Sequence, residues 1–225
     1  MTQAITTRSP HRTAARTYGI FFLLAFLSYG VGSGIVSNIG GDLAGITGNT
    51  TTFTIGILLM AVVHTFVNIG LATVMLPILK PFNVTVTYAY FAAAITATTV
   101  AIIGAIFMVL LVPLSEAYIT AGTDAANLEA LAFLLNKGGF YAYQISMTIW
   151  GLGGLLFVYA LRKSNLVPRV FPIWGAFGYL VFITGTTAEM FGYPIGVMLS
   201  GLGGLFEISL SLWLIFKGFN PSTNP

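Results

Sequence analysis

Long uncharged stretches separated by short polar segments dominate the hydrophobicity pattern of this chain. Six of them are long enough to cross a bilayer, since a transmembrane helix needs about 20 predominantly apolar residues. We predict transmembrane helices at residues 18–38, 53–79, 85–114, 140–161, 170–188 and 195–216. The first stretch is longer than the roughly 7–15 apolar residues of a secretory signal peptide, which favours a retained helix over a cleaved leader. The predicted fold class is therefore an all-α integral membrane bundle of six helices.

The polar segments at the two ends divide the chain into three parts. Residues 1–16 are a polar, basic head that we predict to be a cytoplasmic tail. The six-helix transmembrane domain follows at 17–218, and 219–225 is a polar tail.

A short amphipathic helix is predicted between the third and fourth spans. Its apolar residues recur at i, i+3, i+4 and i+7, which is the spacing of one helical face; they are Leu128, Leu131, Ala132 and Leu135. The Gly138-Gly139 pair then predicts the end of this helix. We expect it to lie on the outer interface or to cap the bundle.

Composition agrees with a lipid environment. Hydrophobic residues make up 56% of the 225 residues and charged residues only 7%, with a mean hydropathy of +0.91. A soluble domain carries roughly 25% charged residues, so the bilayer is the expected partner. The net charge of +3 does not indicate a nucleic-acid partner, because the basic residues sit at helix ends. The 26 glycines favour close helix packing and leave open a protein or homo-oligomer partner.

The basic residues also predict an orientation. With the head in the cytoplasm, eight of the nine Lys and Arg residues fall on the inner side: Arg8, Arg12, Arg16, Lys80, Arg162, Lys163, Arg169 and Lys217. Only Lys137 falls outside, which follows the positive-inside rule. We therefore predict that both termini are cytoplasmic and that the protein is a multi-pass protein of a bacterial plasma membrane.

Two ionisable residues fall deep within the predicted spans, His64 and Glu207. Each lies about 16–18 Å from the outer end of its helix, at roughly 1.5 Å per residue. This depth is near the middle of a hydrocarbon core about 30 Å thick. We predict that the two side chains lie within hydrogen-bonded or water-bridged reach. Three interpretations stay open: a polar clasp between helices, a proton-responsive pair in a carrier, and a catalytic or metal role.

Other polar residues extend this candidate site. Ser200 and Ser211 share the face of Glu207 with small residues, and Asn68 lies one turn from His64. Gln144 is closer to the outer end of its helix, where an interfacial hydrogen bond is expected. The pentapeptide GLGGL occurs at 151–155 and again at 201–205. It indicates either an internal repeat, as many transporters have, or selection for close packing.

Motifs for established chemistries are missing from the sequence. It holds no phosphate-binding loop, no dinucleotide fingerprint and no GxSxG elbow. The absence of cysteine excludes disulfides and thiolate sites, and two histidines cannot form a three-histidine zinc site. We predict no catalytic residue, metal or cofactor.

Three segments resemble one bacterial membrane family. They are the loop LRKSNLVPR at 161–169, the sixth-helix segment EISLSLWLIFKG at 207–218 and the turn LKPFN at 79–83. Their order and spacing are similar to those of the family called domain of unknown function 4386. The resemblance implies a small six-helix bacterial membrane protein and supplies no activity.

These observations favour a non-enzymatic membrane component. The first alternative is a small proton-coupled transporter or carrier that uses His64 and Glu207. An intramembrane enzyme is the least favoured alternative, because no set of nucleophile, base and orienting group is visible in the sequence.

Overall fold

The computed structural model describes residues 10–121 and 124–220, and the described residues contain helices but no strands. Nine α-helices follow one another in this part of the chain: α1 Pro10–Ile39, α2 Leu43–Gly48, α3 Thr50–Leu58, α4 His64–Leu79, α5 Val84–Val109, α6 Leu111–Thr120, α7 Ala125–Ser164, α8 Val170–Met190 and α9 Gly196–Phe216. A π-helical segment, Leu59–Val63, joins α3 to α4 without a break.

Six helical stretches of the described chain are long and apolar enough to cross a membrane. They are His11–Ile39, Thr50–Leu79, Val84–Thr120, Ala125–Ser164, Val170–Met190 and Met198–Phe216. The predicted all-α bundle of six membrane-length helices is thus confirmed. The helix ends agree closely with the prediction at Leu79, Val84, Val170 and Phe216.

The first helix starts earlier than predicted. It begins at Pro10, within the predicted basic head, and proline is favoured at the first position of a helix because its missing N–H would have no partner there. The remainder of the predicted head, residues 1–9 with Arg8, lies outside the described residues. So do residues 221–225 of the predicted C-terminal tail.

The prediction of a separate amphipathic helix that ends at Gly138-Gly139 was wrong. Helix α7 runs without interruption from Ala125 to Ser164 and includes both glycines. The two glycines admit side chains of α5 instead of ending the helix. A Cβ at Gly138 would lie 3.1 Å from the Phe107 ring, and one at Gly139 would overlap Met108.

Polar side chains mark the other helix ends. The Asn83 side chain accepts a hydrogen bond from the Val86 N–H at 2.9 Å and so caps α5. Asn165 ends α7 in the left-handed conformation, with a φ of 51°. The short connections that follow let successive spans pack side by side.

The six spans form a closed ring in chain order. Helix α1 packs against α4 and α9, α5 packs against α4 and α7, and α8 packs against α7 and α9. One end of this ring carries both ends of the described chain, since Arg16 Nε donates to the Ile215 carbonyl at 3.2 Å and Asn220 Nδ2 donates to the Asn165 carbonyl at 3.0 Å. We call it the terminal end and the opposite one the far end.

Two hydrophobic clusters fill the ring at different depths. The terminal-end cluster includes Ala15, Leu79, Ala94, Leu161 and Leu214. The far-end cluster includes Leu43, Phe53, Ala105, Leu114 and Ala132. Helix α5 contributes Ala94 to the first and Ala105 to the second, and the residues between them line a cavity. The cavity therefore lies at the middle depth of the bundle.

Candidate functional site

The central cavity has a volume of about 230 Å³ and is partly open to the surface. All six spans contribute to its wall, with Tyr29 from α1, His64 from α4, Thr98 from α5, Trp150 from α7, Tyr179 from α8 and Glu207 from α9. Both ionisable residues predicted at mid-depth face the same space. We therefore treat this cavity as the candidate site.

Glu207 is buried in the cavity wall and held by two donors. The Tyr179 hydroxyl donates to Glu207 Oε1 at 2.8 Å, and Trp150 Nε1 donates to the same oxygen at 3.2 Å. The residue as a whole is only 9% exposed. Because two carboxylate oxygens can accept about four hydrogen bonds, this carboxyl has acceptor capacity left for a ligand in the cavity.

A glycine sets the position of the Tyr179 donor. A Cβ at Gly154 would overlap the Tyr179 ring, so the absence of a side chain there lets the ring lie against α7. Helices α8 and α9 also approach closely, because a Cβ at Gly178 would lie 3.2 Å from the Gly203 Cα. Gly154 belongs to the first copy of GLGGL, in which a Cβ at each glycine would lie 2.9 Å or less from a neighbouring side chain. In the second copy, a Cβ at Gly201, Gly203 or Gly204 would meet no atom closer than 3.5 Å, so close packing explains the first copy and not the second.

His64 bonds to protein groups through both ring nitrogens. Nδ1 lies 3.1 Å from the Ala25 carbonyl oxygen, and Nε2 lies 2.7 Å from Asn68 Nδ2. A carbonyl oxygen can only accept, so Nδ1 carries a hydrogen, and Nε2 accepts from the Asn68 amide. This is the pattern of a neutral imidazole protonated at Nδ1.

An irregular turn directly precedes His64. The π-helical segment Leu59–Val63 ends where α4 begins, and π-helical turns often occur at functional sites. Helix α1 packs closely beside this turn, since a Cβ at Gly32 would lie 2.5 Å from the Gly56 carbonyl oxygen. The close approach of α1 brings the Ala25 carbonyl within reach of His64.

The family model described as domain of unknown function (DUF4386) matches residues 17–218 of the chain. The chain belongs to this family. No curated protein and no solved structure matches it. The match confirms the resemblance seen in the sequence and covers all six spans of the bundle.

His64 and Glu207 of this DUF4386 protein share the cavity but do not bond directly. In residues 10–121 and 124–220, His64 bonds to Ala25 and Asn68, whereas Glu207 bonds to Trp150 and Tyr179. Their helices, α4 and α9, each pack against α1, which lies between them in the ring. A water-bridged link across the cavity stays a prediction.

The supporting polar residues divide into two groups. Asn68 and Ser200 line the cavity, and Asn68 also orients His64. Ser211 Oγ instead donates to the Glu207 backbone carbonyl at 2.7 Å, within its own helix. Gln144 is buried and does not belong to the cavity wall. The interfacial position expected for Gln144 stays a prediction, because the 40 residues of α7 extend about 60 Å at roughly 1.5 Å per residue and a hydrocarbon core about 30 Å thick covers only part of the helix.

Several aromatic residues of the site were not predicted. Tyr179 and Trp150 hold Glu207, and the ring of Tyr29 stacks on Tyr143 with centroids 5.4 Å apart. Tyr and Trp in membrane helices are usually enriched at the interfaces, where the polar tip meets water. A Tyr in the middle of a span, such as Tyr179, therefore signals a buried hydrogen-bond partner.

Proposed function

We propose that this protein is a non-enzymatic carrier that binds a small solute in the central cavity and moves it across a bacterial plasma membrane. The observation that supports this proposal is a cavity of about 230 Å³ lined by all six spans and by both mid-span ionisable residues. Ionisable residues within membrane spans usually face a cavity and mark the pathway of an ion or substrate.

The size and the lining of the cavity favour a binding role. Its volume of about 230 Å³ exceeds the roughly 30 Å³ that one water molecule occupies in liquid water. Polar groups in the wall make the space suitable for water or for a polar ligand. A solute that binds there can replace water at these groups.

The depth of the cavity also supports a carrier. Secondary transporters bind their substrates near the middle of the bilayer, between the helices of the bundle. Here the cavity lies between the terminal-end and far-end hydrophobic clusters. A solute at this depth lies between the two packed clusters, about midway between the two ends of the bundle.

The orientation is part of the proposal. We propose that the terminal end is cytoplasmic, because short segments at the helix boundaries there carry Lys80, Arg162, Arg169 and Lys217. Lys137, in the first half of α7, is the basic residue that does not fit this group. This distribution follows the positive-inside rule for short loops.

A polar clasp is the second candidate role for Glu207. Its two hydrogen bonds join α7, α8 and α9, since Trp150 and Tyr179 come from the first two of these helices. The contacts stabilise the cavity wall whether or not a solute binds. The clasp and the carrier differ in whether water and solutes enter the cavity.

Cysteine labelling tests the proposed function directly, because the chain has no native cysteine. Ala101→Cys places a thiol in the cavity wall, and Ile103→Cys places one on the exposed apolar surface of the same helix. Only a thiol in contact with water can form the reactive thiolate. In proteoliposomes we expect a water-soluble maleimide to label Ala101→Cys and not Ile103→Cys. A cavity closed to water would leave both unlabelled and would overturn the carrier.

A further inference from the structure

The charges around the central cavity are not balanced. Glu207 contributes a carboxyl group, whereas among residues 10–121 and 124–220 no Lys or Arg side chain is part of the cavity wall. His64, the other ionisable group besides the tyrosines, has the hydrogen-bonding pattern of a neutral imidazole. The wall therefore offers a site for negative charge at Glu207 and no matching positive charge.

Aromatic rings lie beside this carboxyl group and in other parts of the cavity wall. Trp150 donates its Nε1–H to Glu207, which fixes the indole beside the carboxyl, and the Phe22 ring lies 6.2 Å from the Trp150 ring. Tyr29 and Tyr143 form a stacked pair in another part of the wall. The face of an aromatic ring carries a negative quadrupole and attracts cations within about 6 Å. The carboxyl group and the aromatic rings thus both favour a cationic ligand.

The donor set favours an organic cation over a metal ion. Hard metal cations take about six to eight oxygen ligands, and Glu207 is the one carboxylate that the described part of the chain contributes to the wall. The imidazole of His64 already bonds through both nitrogens. An ammonium ion with carbon substituents needs fewer oxygen ligands, because ring faces and apolar contacts replace part of its hydration shell.

The volume sets the size of such a ligand. The cavity of about 230 Å³ exceeds the engineered apolar cavity of roughly 150 Å³ that binds benzene. A small substituted ammonium ion therefore fits with its carbon groups against the rings. A phospholipid or a peptide does not fit in this space.

We propose that the central cavity binds a small monovalent organic ammonium cation, with its charge beside the Glu207 carboxylate and its carbon groups against Trp150, Phe22 and the Tyr29–Tyr143 pair. This inference rests on the proposed function, since it names the class of solute that the carrier takes. Glu207 supplies the charge selectivity, and the aromatic rings supply the preference for a substituted ammonium over an inorganic ion.

Three probes of one size and different charge test the proposal. They are choline, its neutral carbon isostere 3,3-dimethylbutan-1-ol, and the anion 3,3-dimethylbutanoate. Calorimetric titration of the full chain in nanodiscs should show choline binding at least tenfold more tightly than the neutral isostere, with the anion weakest. If the wild-type protein bound the three probes with equal affinity, the proposed ligand class would be overturned without any variant.

Variants then locate the selectivity. Glu207→Gln should remove the preference of choline over the neutral isostere, whereas Glu116→Gln, which changes an exposed carboxylate on α6, should keep it. Trp150→Leu removes a ring and should lower the ratio of choline affinity to neutral-isostere affinity at least threefold. An unchanged ratio in Glu207→Gln would contradict the proposal. If Glu207→Gln does not fold, the three probes on the wild-type protein decide alone.

The two proposals fail in different ways. Labelling of Ala101→Cys without selective choline binding would overturn the ammonium ligand and leave the carrier standing. No labelling of Ala101→Cys and no binding of any probe would overturn both.

Discussion

The Tyr179 hydroxyl donates to Glu207 Oε1 at 2.8 Å, and this bond joins α8 to α9 in the wall of the central cavity. Trp150 donates to the same oxygen from α7, so three of the six spans meet at one carboxyl group. In hydrocarbon, a polar group without a partner is expensive. The cavity wall therefore depends on this small network for its shape as well as for its charge.

Tyr179→Phe should destabilise the bundle modestly. The substitution removes one donor to Glu207 and keeps the ring, and hydrogen bonds between membrane helices contribute about 0.6 kcal/mol on average and up to about 1.7 kcal/mol. We expect a loss in this range, measured as the free energy of unfolding in detergent micelles. Tyr193→Phe, at an exposed tyrosine between α8 and α9, is the matched control and should have no effect. Equal stabilities of the two variants would contradict the role of the hydroxyl.

Gly154→Ala should destabilise the bundle, although it adds only one methyl group. The new methyl group would overlap the Tyr179 ring and push it away from Glu207, and overpacking of this kind costs about 1–3 kcal/mol. Gly201→Ala, in the second GLGGL copy, meets open space. Because Ala is favoured over Gly in a helix, we expect this control to be neutral or to stabilise by up to about 1 kcal/mol. Thermal unfolding of both variants checks the difference, and similar losses would contradict it.

His64→Ala tests the contact between α4 and α1. The imidazole donates to the Ala25 carbonyl and accepts from Asn68, so its removal leaves a buried amide without its partner. We expect a loss of about 1–2 kcal/mol in the free energy of unfolding. Thr73→Ala is the control on the same helix, since the Thr73 hydroxyl is exposed and bonds within α4 to Ile69. A loss no larger than that of the control would contradict a role for His64 in helix packing.

The proposed orientation is tested by labelling in intact cells. Lys163→Cys lies near the end of α7 at the terminal end, and Asn127→Cys lies near its start; both side chains are exposed. We expect an impermeant maleimide to label Asn127→Cys in intact cells and Lys163→Cys only after the cells are permeabilised. The opposite pattern would place the terminal end outside the cytoplasm.

The architecture could be read from the sequence because long uncharged stretches have one stable environment. The predicted boundaries at residues 79 and 85 lie within one residue of the observed helix ends at Leu79 and Val84. The break predicted at Gly138-Gly139 failed because glycine serves two purposes in membrane bundles. It ends helices with a positive φ, as at Gly192 and Gly218, and it admits neighbouring side chains, as at Gly138.

The site was only partly predictable for a related reason. His64 and Glu207 could be found from their charge and depth, since ionisable residues in spans are rare. Their partners Tyr179, Trp150 and Ala25 could not, because helical spacing does not say which helices are neighbours in a ring. The prediction that His64 and Glu207 lie within hydrogen-bonded or water-bridged reach took the second and sixth spans as neighbours, whereas each of these spans packs against α1.

The central claim is that the cavity beside Glu207 is wet and takes a cationic solute. The most direct measurement is the rate at which a water-soluble maleimide labels Ala101→Cys in proteoliposomes, with and without choline. We predict that choline slows the labelling at least tenfold at saturation, that 3,3-dimethylbutanoate does not, and that Glu207→Gln in the same background abolishes the protection. If Ala101→Cys were not labelled, the cavity would not be wet. If neither choline nor 3,3-dimethylbutanoate changed the labelling rate, the cavity would not take a cationic solute.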